Sequence, residues 1–348
     1  MEYLLGKSLN ELQETALGIG LPRFAGKQIA EWLYKKRVTD INQMTNISLK
    51  GREALSRKYT VGRSNPMAAA ESADGTKKYL FEVKGDNINE QTSTKPLVVE
   101  CVYIPDDDRA TLCVSTQAGC KMGCRFCMTG TLGFQCQLSA CDILNQIFSI
   151  PESDRLTNLV YMGEGEPMDN IDNVLRSLEV ITSDYGCGWS PRRITVSSVG
   201  LIPGLQRFIT ESECHLAISL HNPFATEREQ IMPIQKRYPL DSVINLIRQY
   251  DFSHQRRVSF EYIMFEGIND TMRHAAELRR MLAGTDCRIN LIRFHSTGDS
   301  EFQSSDEQKM VDFRDYLTAN GITTTIRRSR GEDIMAACGM LVNELYKI

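Results

Sequence analysis

The most specific chemical pattern in the chain is a set of three closely spaced cysteines, Cys120, Cys124 and Cys127. Three thiolates at this spacing, in a turn that contains a glycine, can bind a compact iron–sulfur cluster and leave one metal position without a protein ligand. A structural zinc site would need a fourth ligand, and no nearby Cys or His motif supplies one. The pattern therefore predicts a cluster with an open position for a substrate or cosubstrate.

Polar residues and glycines follow three other apolar runs. NLVYM leads into Gly163–Pro167, ITVSS contains Ser197, and LAI leads into Ser219–His221. Glycines let the backbone approach a ligand closely. A further carboxylate, Glu100, interrupts the apolar run LVVECVYI, where it must be paired, lie at a sheet edge or be functional.

Alternating strand and helix patterns must position these residues. The strand-like runs are TLCVST, NLVYMG, ITVSSV, LAISL, VSFEYIM, INLIRF and ITTTIR, and the helical patterns include residues 139–148, 171–185, 240–250, 272–282, 306–320 and 334–346. This alternation predicts an α/β fold, with a parallel sheet that closes into a partial (β/α) barrel. The candidate residues then lie at the carboxyl ends of strands, where such barrels carry their functional groups.

The residues before the barrel divide into two further parts. Residues 1–65 carry apolar residues at helical spacing, and through Arg63 they contain 11 Lys+Arg against 6 Asp+Glu. They are predicted to form a small helical domain whose basic residues contact RNA phosphates or form an ordinary solvated face. Residues 66–106 contain the alternating runs KKYLFEV and LVVECVYI, which predict a β-hairpin extension. Residues 107–348 are predicted to form the barrel, with a C-terminal helix that carries Cys338.

Length and composition exclude several classes of protein. The chain has 348 residues, of which 42% are hydrophobic, and a net charge of −4, which indicates a globular protein with a sizeable core. No run approaches the ~18 consecutive apolar residues of a membrane helix. Eleven cysteines, an odd number, without a signal-peptide pattern predict reduced thiols and a cytoplasmic location.

The three-cysteine motif at the end of a barrel strand resembles the radical S-adenosylmethionine (SAM) superfamily. The resemblance implies a four-iron four-sulfur cluster on Cys120, Cys124 and Cys127, with SAM on the fourth iron. It also implies that the segment after NLVYM holds the SAM amino group. The implied SAM-binding residues are Gly165, Glu166, Ser197, Ser219, Leu220, His221 and His295.

Longer segments resemble one family within this superfamily, the RlmN/Cfr family of RNA methyltransferases. They include RATLCVSTQAGC, GCRFCMTGTLGF, GEGEP, RRITVSS, AISLHNP, TIRRSRGEDI and AACG, in this order. The resemblance implies methylation of an adenine ring carbon, either carbon 2 in large-subunit rRNA and tRNA or carbon 8 in rRNA. Such a carbon is electron-poor, so it cannot attack the SAM methyl group as a thiolate would. A radical route is needed.

The resemblance also implies roles for three further residues. Cys338 matches the cysteine that one SAM methylates and from whose methyl group a radical made from a second SAM removes hydrogen. The carbon then adds to adenine. Cys113 matches the second cysteine, which attacks Cys338 and releases the product as a disulfide forms. Glu100 matches the carboxylate that accepts the ring proton.

Two positions depart from the family pattern. Glu164 replaces a Met between the glycines, which adds a negative charge beside the expected SAM site, and His295 replaces an Asn. The loop at residues 296–306 also lacks the family's proline. Because of these departures the exact substrate is an open question, whereas the radical chemistry is still expected.

The implied partners are RNA and an electron donor such as flavodoxin, with no membrane, and a monomer is expected. RNA contact is expected at the N-terminal helices, Arg192, Arg193 and the segment Arg327–Arg330. Three alternatives remain open: methylation at carbon 8, a cluster-bearing RNA- or ribosome-binding protein without turnover, and a redox sensor that uses Cys113 and Cys338 as a reversible pair.

Overall fold

The computed structural model of the chain describes residues 1–85, 96–255, 257–296, 300–337 and 339–341. Three features of the sequence analysis lie wholly or partly outside the described residues. They are Cys338, residues 342–346 of the predicted C-terminal helix, and residues 297–299 of the loop at 296–306.

Short strands and helices make up most of the chain. The strands are β1 (Glu2–Tyr3), β2 (Tyr59–Thr60), β3 (Ala68–Glu71), β4 (Lys77–Val83), β5 (Leu97–Pro105), β6 (Ala110–Cys113), β7 (Gln117–Ala118), β8 (Cys136–Gln137), β9 (Asn158–Tyr161), β10 (Ile194–Ser198), β11 (His215–Ser219), β12 (Val258–Met264), β13 (Cys287–Arg293) and β14 (Thr323–Ile326). The α-helices are α1 (Leu9–Gly18), α2 (Ala25–Ala30), α3 (Leu49–Ser56), α4 (Met128–Leu132), α5 (Ala140–Ser149), α6 (Ile171–Thr182), α7 (Ile202–Glu211), α8 (Ala225–Ile231), α9 (Leu240–Ile247), α10 (Met272–Leu282) and α11 (Glu307–Ala319).

The predicted partial barrel is confirmed. Strands β6 and β9 to β14 pair in parallel, in the order in which they follow along the chain. These strands are short and mostly apolar because helices cover one side of the sheet and the barrel interior covers the other. In β12 all seven residues are buried, including Glu261. The carboxyl ends of all these strands consequently meet along one rim.

Antiparallel strands extend this sheet at the β6 edge. β3, β4 and β5 pair in turn, and β5 then pairs with β6 from Val102↔Cys113 to Pro105↔Ala110. The predicted pairing of the runs KKYLFEV and LVVECVYI is thus confirmed. The hairpin brings Glu100 to the start of the barrel.

The N-terminal residues form three α-helices, as the helical spacing predicts, and β1 pairs with β2. A capping box at Ser8 and Glu11 begins α1. Arg63 anchors this part to the barrel through the Ser149 hydroxyl and the Phe148 carbonyl, and Arg37 pairs with Asp154 at 3.0 Å. The domain limits at residues 65 and 106 stay predictions.

The segment that leads to residue 341 differs from its prediction. A helix was expected from residue 334, but the described residues 335–337 and 339–341 form turns, a bend and irregular backbone. Met335 has a φ of 52° and Gly339 a φ of 82°, values that a right-handed helix cannot contain. The helix prediction is therefore wrong for these residues.

Hydrogen bonds to other elements hold this segment in place. Asp74 accepts from the Gly331 N–H at 3.0 Å, and Lys78 donates to the Met335 carbonyl at 3.4 Å. The Met128 N–H donates to the Gly339 carbonyl at 2.9 Å. The hairpin thus holds one end of the segment and α4 the other.

In the part of the chain that the structure describes, no helix combines the length and apolar character that a membrane span requires.

Candidate active site

A cleft with about 830 Å³ of empty space lies at the carboxyl rim of the parallel strands. It collects most of the residues that the sequence singled out. Those on its wall are Cys120, Cys124, Cys127, Gly165, Glu166, Ser197, Ser219 and His221. The parallel pairing of the strands brings these residues together, because each of them lies at or beyond the carboxyl end of its strand.

The three cysteines lie on a loop that is closed at its base. β7 and β8 pair on either side of it, and the Gln135 N–H donates to the Ala118 carbonyl at 2.9 Å. Inside the loop, the Cys127 N–H donates to the Cys124 carbonyl at 3.1 Å. Gly123 has a φ of 63°, which a residue with a side chain rarely adopts. The loop therefore holds the cysteines in one compact turn.

The donor set suits an iron–sulfur cluster. Burial raises the pKa of the Cys120 thiol to about 12 and that of Cys124 well above its usual range, so a cation must displace their protons. Among the described residues, no group of three His, Cys, Asp or Glu side chains is arranged to bind a single metal ion. A cubane cluster does not need such convergence, since each thiolate binds a different iron.

The glycines beside the cluster loop permit close packing. A Cβ atom on Gly163 would lie 2.6 Å from the Ser115 hydroxyl, and one on Gly165 would lie 2.5 Å from the Gln117 side chain. Gly165 also has a φ of 93°. Both positions therefore require glycine. These glycines allow the segment after β9, which carries Glu166, to pack against the loop that carries the three cysteines.

Glu166 presents a buried carboxylate to the cleft. One oxygen accepts from the Met168 N–H at 3.1 Å and the other from the Val199 N–H at 3.0 Å. Burial nevertheless raises the pKa of Glu166 to about 7. A buried carboxylate of this kind gains from a nearby ammonium group, as the predicted SAM contact requires.

The His221 ring is uncharged, and a hydrogen bond holds it in one orientation. Its Nδ1 accepts from the Ile263 N–H at 3.1 Å, which assigns the ring proton to Nε2. Burial, reinforced by the charge of Arg228, lowers the pKa of His221 to about 3. Its φ of 56° is unusual for a residue with a side chain. The backbone strain is characteristic of a functional position.

Arg228 supports the cleft from behind, and the sequence patterns did not reveal it. Its guanidinium is fully buried and donates to the carbonyls of Leu220, Ser219 and Val199 and to the Gln235 side chain. The same positive charge opposes the rise in the pKa of Cys124. The Arg228 side chain thus fixes the carboxyl ends of β10 and β11 beside the loop that carries the three cysteines.

Two predicted SAM-binding residues lie apart from the others. Leu220 is buried in the apolar core and is not on the cleft wall, although its carbonyl binds Arg228. His295 lines a second cavity, where it contacts the Ser329 hydroxyl at 2.8 Å and Glu332 at 3.3 Å. Burial lowers the pKa of His295.

The second cavity adjoins the first and contains about 950 Å³ of empty space. Cys113 lies on its wall together with the residues that flank position 338, namely Ala336, Ala337, Gly339 and Leu341. Cys113 also packs with Ala336 and Leu341 in a small apolar cluster. Cys127 and Gly339 border both cavities. The structure thus brings the predicted second cysteine beside the segment of the predicted first one.

Glu100 is buried on β5 and forms an ion pair. Its Oε1 lies 3.1 Å from Lys78 Nζ, and both side chains are almost wholly excluded from solvent. Val102 and Ile104, on the same face of β5 because side chains alternate along a strand, line the second cavity. The face that carries Glu100 therefore continues into the cavity that contains Cys113.

Glu164 itself does not line the cleft, although its neighbours Gly163 and Gly165 do. Its carboxylate accepts from the Glu100 N–H at 2.8 Å and from the Gly119 N–H at 3.5 Å. The negative charge is therefore directed at two backbone N–H groups.

A third cavity, with about 1460 Å³ of empty space, is lined by residues near the amino ends of β6 and β9 to β13 and by the segment that follows β14. The two basic segments singled out in the sequence meet here with other arginines, and the set is Arg109, Arg192, Arg193, Arg288, Arg327, Arg328 and Arg330. Arg327 lines all three cavities and pairs with Glu261 at 3.4 Å. The cavities therefore form one series, from the cysteine loop to an arginine-lined mouth.

Glu261 could have been found from the sequence. It interrupts the apolar run VSFEYIM as Glu100 interrupts LVVECVYI, and it lines the first and third cavities. Arg228 gives no comparable signal, because it lies in the ordinary helical sequence ATEREQI.

The chain matches two families. Residues 3–61 match the ribosomal RNA large subunit methyltransferase N-terminal domain, and residues 114–278 match the radical SAM superfamily.

Several relatives are similar along almost the whole chain. A protein of Phocaeicola vulgatus, named as a probable dual-specificity RNA methyltransferase RlmN, is 56% identical and covers 97% of this chain and 94% of its own length. The dual-specificity RNA methyltransferase RlmN of Syntrophotalea carbinolica is 37% identical over 97% of this chain and 89% of its own. A crystal structure of a radical SAM methyltransferase from Sphaerobacter thermophilus is 35% identical, covers 98% of this chain and 99% of that one, and superposes with a TM-score of 0.89.

Replacing Arg228 with Met should destabilise the protein, because the carbonyls at the rim lose their donor. We expect a loss of about 3 kcal/mol in the free energy of unfolding, measured by urea denaturation. The exposed Arg237, replaced in the same way, serves as the control and should change stability by less than about 0.5 kcal/mol. Equal effects of the two substitutions would contradict the assigned role of Arg228.

Replacing His221 with Asn should make stability less sensitive to acid. The unfolded chain protonates this imidazole below a pH of about 6.5, whereas the folded chain keeps it neutral to about pH 3. Acid therefore favours the unfolded state. Between pH 7 and pH 5 the wild type should lose about 2 kcal/mol more stability than the variant. Identical pH dependence in urea denaturation would show that His221 titrates normally.

Proposed function

We propose that this chain, which belongs to the RlmN family of radical SAM RNA methyltransferases, methylates carbon 2 of an adenine in large-subunit rRNA and in tRNA. The observation that carries the proposal is the series of cavities. It leads from the three-cysteine loop, past Cys113 and the flanks of position 338, to a mouth lined by arginines.

The cluster and SAM, when bound, would supply the radical that couples the methyl carbon on Cys338 to the adenine ring. Cys120, Cys124 and Cys127 would hold the cluster, and Glu166, His221 and Ser219 lie around the remainder of the same cleft. Two molecules of SAM are used in each turnover, one as methyl donor and one as radical source.

Cys113 would resolve the link between enzyme and RNA. Its thiolate attacks the sulfur of Cys338, so that a sulfur–sulfur bond forms and the bond from that sulfur to the transferred carbon breaks. The electron pair of the broken bond stays with the carbon, which becomes a methyl group on taking a proton. A reductant must then return the disulfide to two thiols. The burial of Cys113 against Ala336 and Leu341 supports this pairing.

Glu100 would accept the proton that leaves the ring carbon, and the unpaired electron that the radical addition leaves on the ring would pass to a one-electron acceptor, which the oxidised cluster would supply. A general base must lie within hydrogen-bond reach of that proton, and the strand face that carries Glu100 continues to the wall of the second cavity. Lys78 would support this role by holding the Glu100 carboxylate in an ion pair at 3.1 Å.

RNA would enter through the third cavity. Arginine side chains bind phosphates through charge and paired N–H donors, which suits a mouth where seven arginines meet. The chain as a whole carries a net charge of −4, so RNA attraction has to be local. We further propose a monomeric cytoplasmic enzyme that receives electrons from a flavodoxin-type donor.

Mass spectrometry of adenosines from rRNA and tRNA, in a host without such an enzyme, tests the function. The wild-type gene should produce 2-methyladenosine, and Cys338→Ala should abolish it. Cys113→Ala should lower it roughly 100-fold or more and leave RNA covalently attached to the protein. Cys214→Ala, a buried cysteine outside the three cavities, serves as the control and should leave the product level unchanged.

The outcomes separate the alternatives. The appearance of 8-methyladenosine would change the position of methylation and keep the mechanism. Normal product from Cys338→Ala would exclude the methyl-cysteine route. Loaded wild-type protein that binds RNA and makes no methyladenosine would favour a binding protein, and a reversible Cys113–Cys338 couple without any product would favour a redox sensor.

The double substitution Arg192→Gln and Arg193→Gln should weaken RNA binding and its dependence on salt. Each lost phosphate contact lowers the slope of log affinity against log salt concentration by about 0.7 to 0.9, so a total change of roughly 1.5 is expected. Filter binding across salt concentrations measures it. The matched control replaces Arg279 and Arg280 on α10, which lie outside the cavities, and an equal effect there would exclude a specific role for the mouth.

A further inference from the structure

We infer that Glu164 is a positioning residue, which fixes the backbone of Glu100 and ties it to the loop that carries the three cysteines. The inference rests on the proposed function for the role of Glu100 as proton acceptor. The hydrogen bonds that support it are independent of that role.

The edge of β5 explains why Glu100 needs such support. β6 pairs with β5 only as far as Val102↔Cys113, and beyond Cys113 the chain turns toward β9. The N–H and C=O groups of Glu100 on this edge therefore have no strand to pair with. A buried backbone group without a partner is strongly unfavourable, so side chains must take the place of the missing strand.

Glu164 and Ser115 supply these partners in a closed ring. The Glu100 N–H donates to Glu164 Oε1 at 2.8 Å, and the Ser115 hydroxyl donates to the Glu100 carbonyl at 2.6 Å. The Glu164 N–H then donates to the same Ser115 oxygen at 2.8 Å. All three residues are at most 1% exposed, so water does not compete for these bonds.

The second carboxylate oxygen reaches the cluster loop. Glu164 Oε2 lies 3.5 Å from the N–H of Gly119, the residue directly before Cys120. The Glu164 carbonyl also accepts from the N–H groups of Thr116 and Gln117, at 2.8 and 3.2 Å. Residue 164 thus joins β5 to the chain that enters the cysteine loop.

Lys78 and Glu164 restrain different parts of Glu100. Lys78 lies 3.1 Å from the carboxylate, whereas Glu164 and Ser115 bind the backbone N–H and C=O. Removal of the Glu164 carboxylate leaves the ion pair in place but frees the backbone to shift. Since proton transfer requires hydrogen-bond distance, such a shift slows that step more than the radical steps before it.

The test uses the holoenzyme with its cluster, in single-turnover reactions with an RNA substrate. We compare Glu164→Met, which removes both acceptors, with Glu164→Gln, which keeps one oxygen for the Glu100 N–H. For Glu164→Met we expect methyladenosine formation to fall about 10- to 100-fold, while 5′-deoxyadenosine forms within twofold of the wild type and the enzyme–RNA adduct accumulates. Glu164→Gln should restore product to within about threefold of the wild type, since the bond to Glu100 remains.

Three outcomes would overturn the inference. They are unchanged product from Glu164→Met, a parallel loss of 5′-deoxyadenosine and methyladenosine, and equal impairment of the Gln and Met variants. Glu179→Met, an exposed acid on α6, is the matched control and should behave as the wild type.

Amide hydrogen exchange separates this inference from the proposed function. Glu164→Met should speed exchange in peptides that contain residues 97–101, and Glu164→Gln should not, whether or not methyladenosine is ever made. If the wild type cleaves SAM and makes no methyladenosine, the proposed function fails while the exchange result still decides the positioning role. Unchanged exchange in the folded Met variant would overturn it.

Discussion

Parallel pairing of short strands is the constraint on which the rest of this structure depends. It places the ends of β6, β9, β10 and β11 on one rim, so residues far apart in sequence share one cleft. Around this rim, side chains bind several backbone groups that do not pair with a neighbouring strand. Arg228, Glu166 and Glu164 supply those bonds, and each of these side chains is also charged or chargeable beside the cysteine loop. The side chains that bind these backbone groups are therefore the same ones that determine the charge of the site.

The antiparallel hairpin has a second effect, since it links the barrel to the chain's final described segment. Asp74 and Lys78 both hold this segment, at Gly331 and Met335, while α4 holds it at Gly339. A stretch with few regular hydrogen bonds of its own is consequently fixed from two sides. Its left-handed residues could not form within a helix, and the tertiary contacts outweigh the helix propensity of a sequence such as DIMAA.

Apolar runs and residue spacing were sufficient to predict the seven parallel strands, the hairpin and the cysteine loop. The position of Glu164 was not predictable in this way, because its role depends on where β6 ends relative to Glu100, and no local pattern encodes that point. His295 was placed by family resemblance, yet its ring turns toward Ser329 and the second cavity. Arg228 was missed because an isolated arginine on a helix is usually solvated. Arg327 was expected only as part of a basic segment that contacts RNA, and its pairing with Glu261 depends on the tertiary structure.

Arg327 borders all three cavities and pairs with the buried Glu261. One guanidinium thus contributes positive charge to three cavity walls at once, and its pair with Glu261 fixes its position. Any rearrangement of that pair would change the electrostatic potential of all three cavities together.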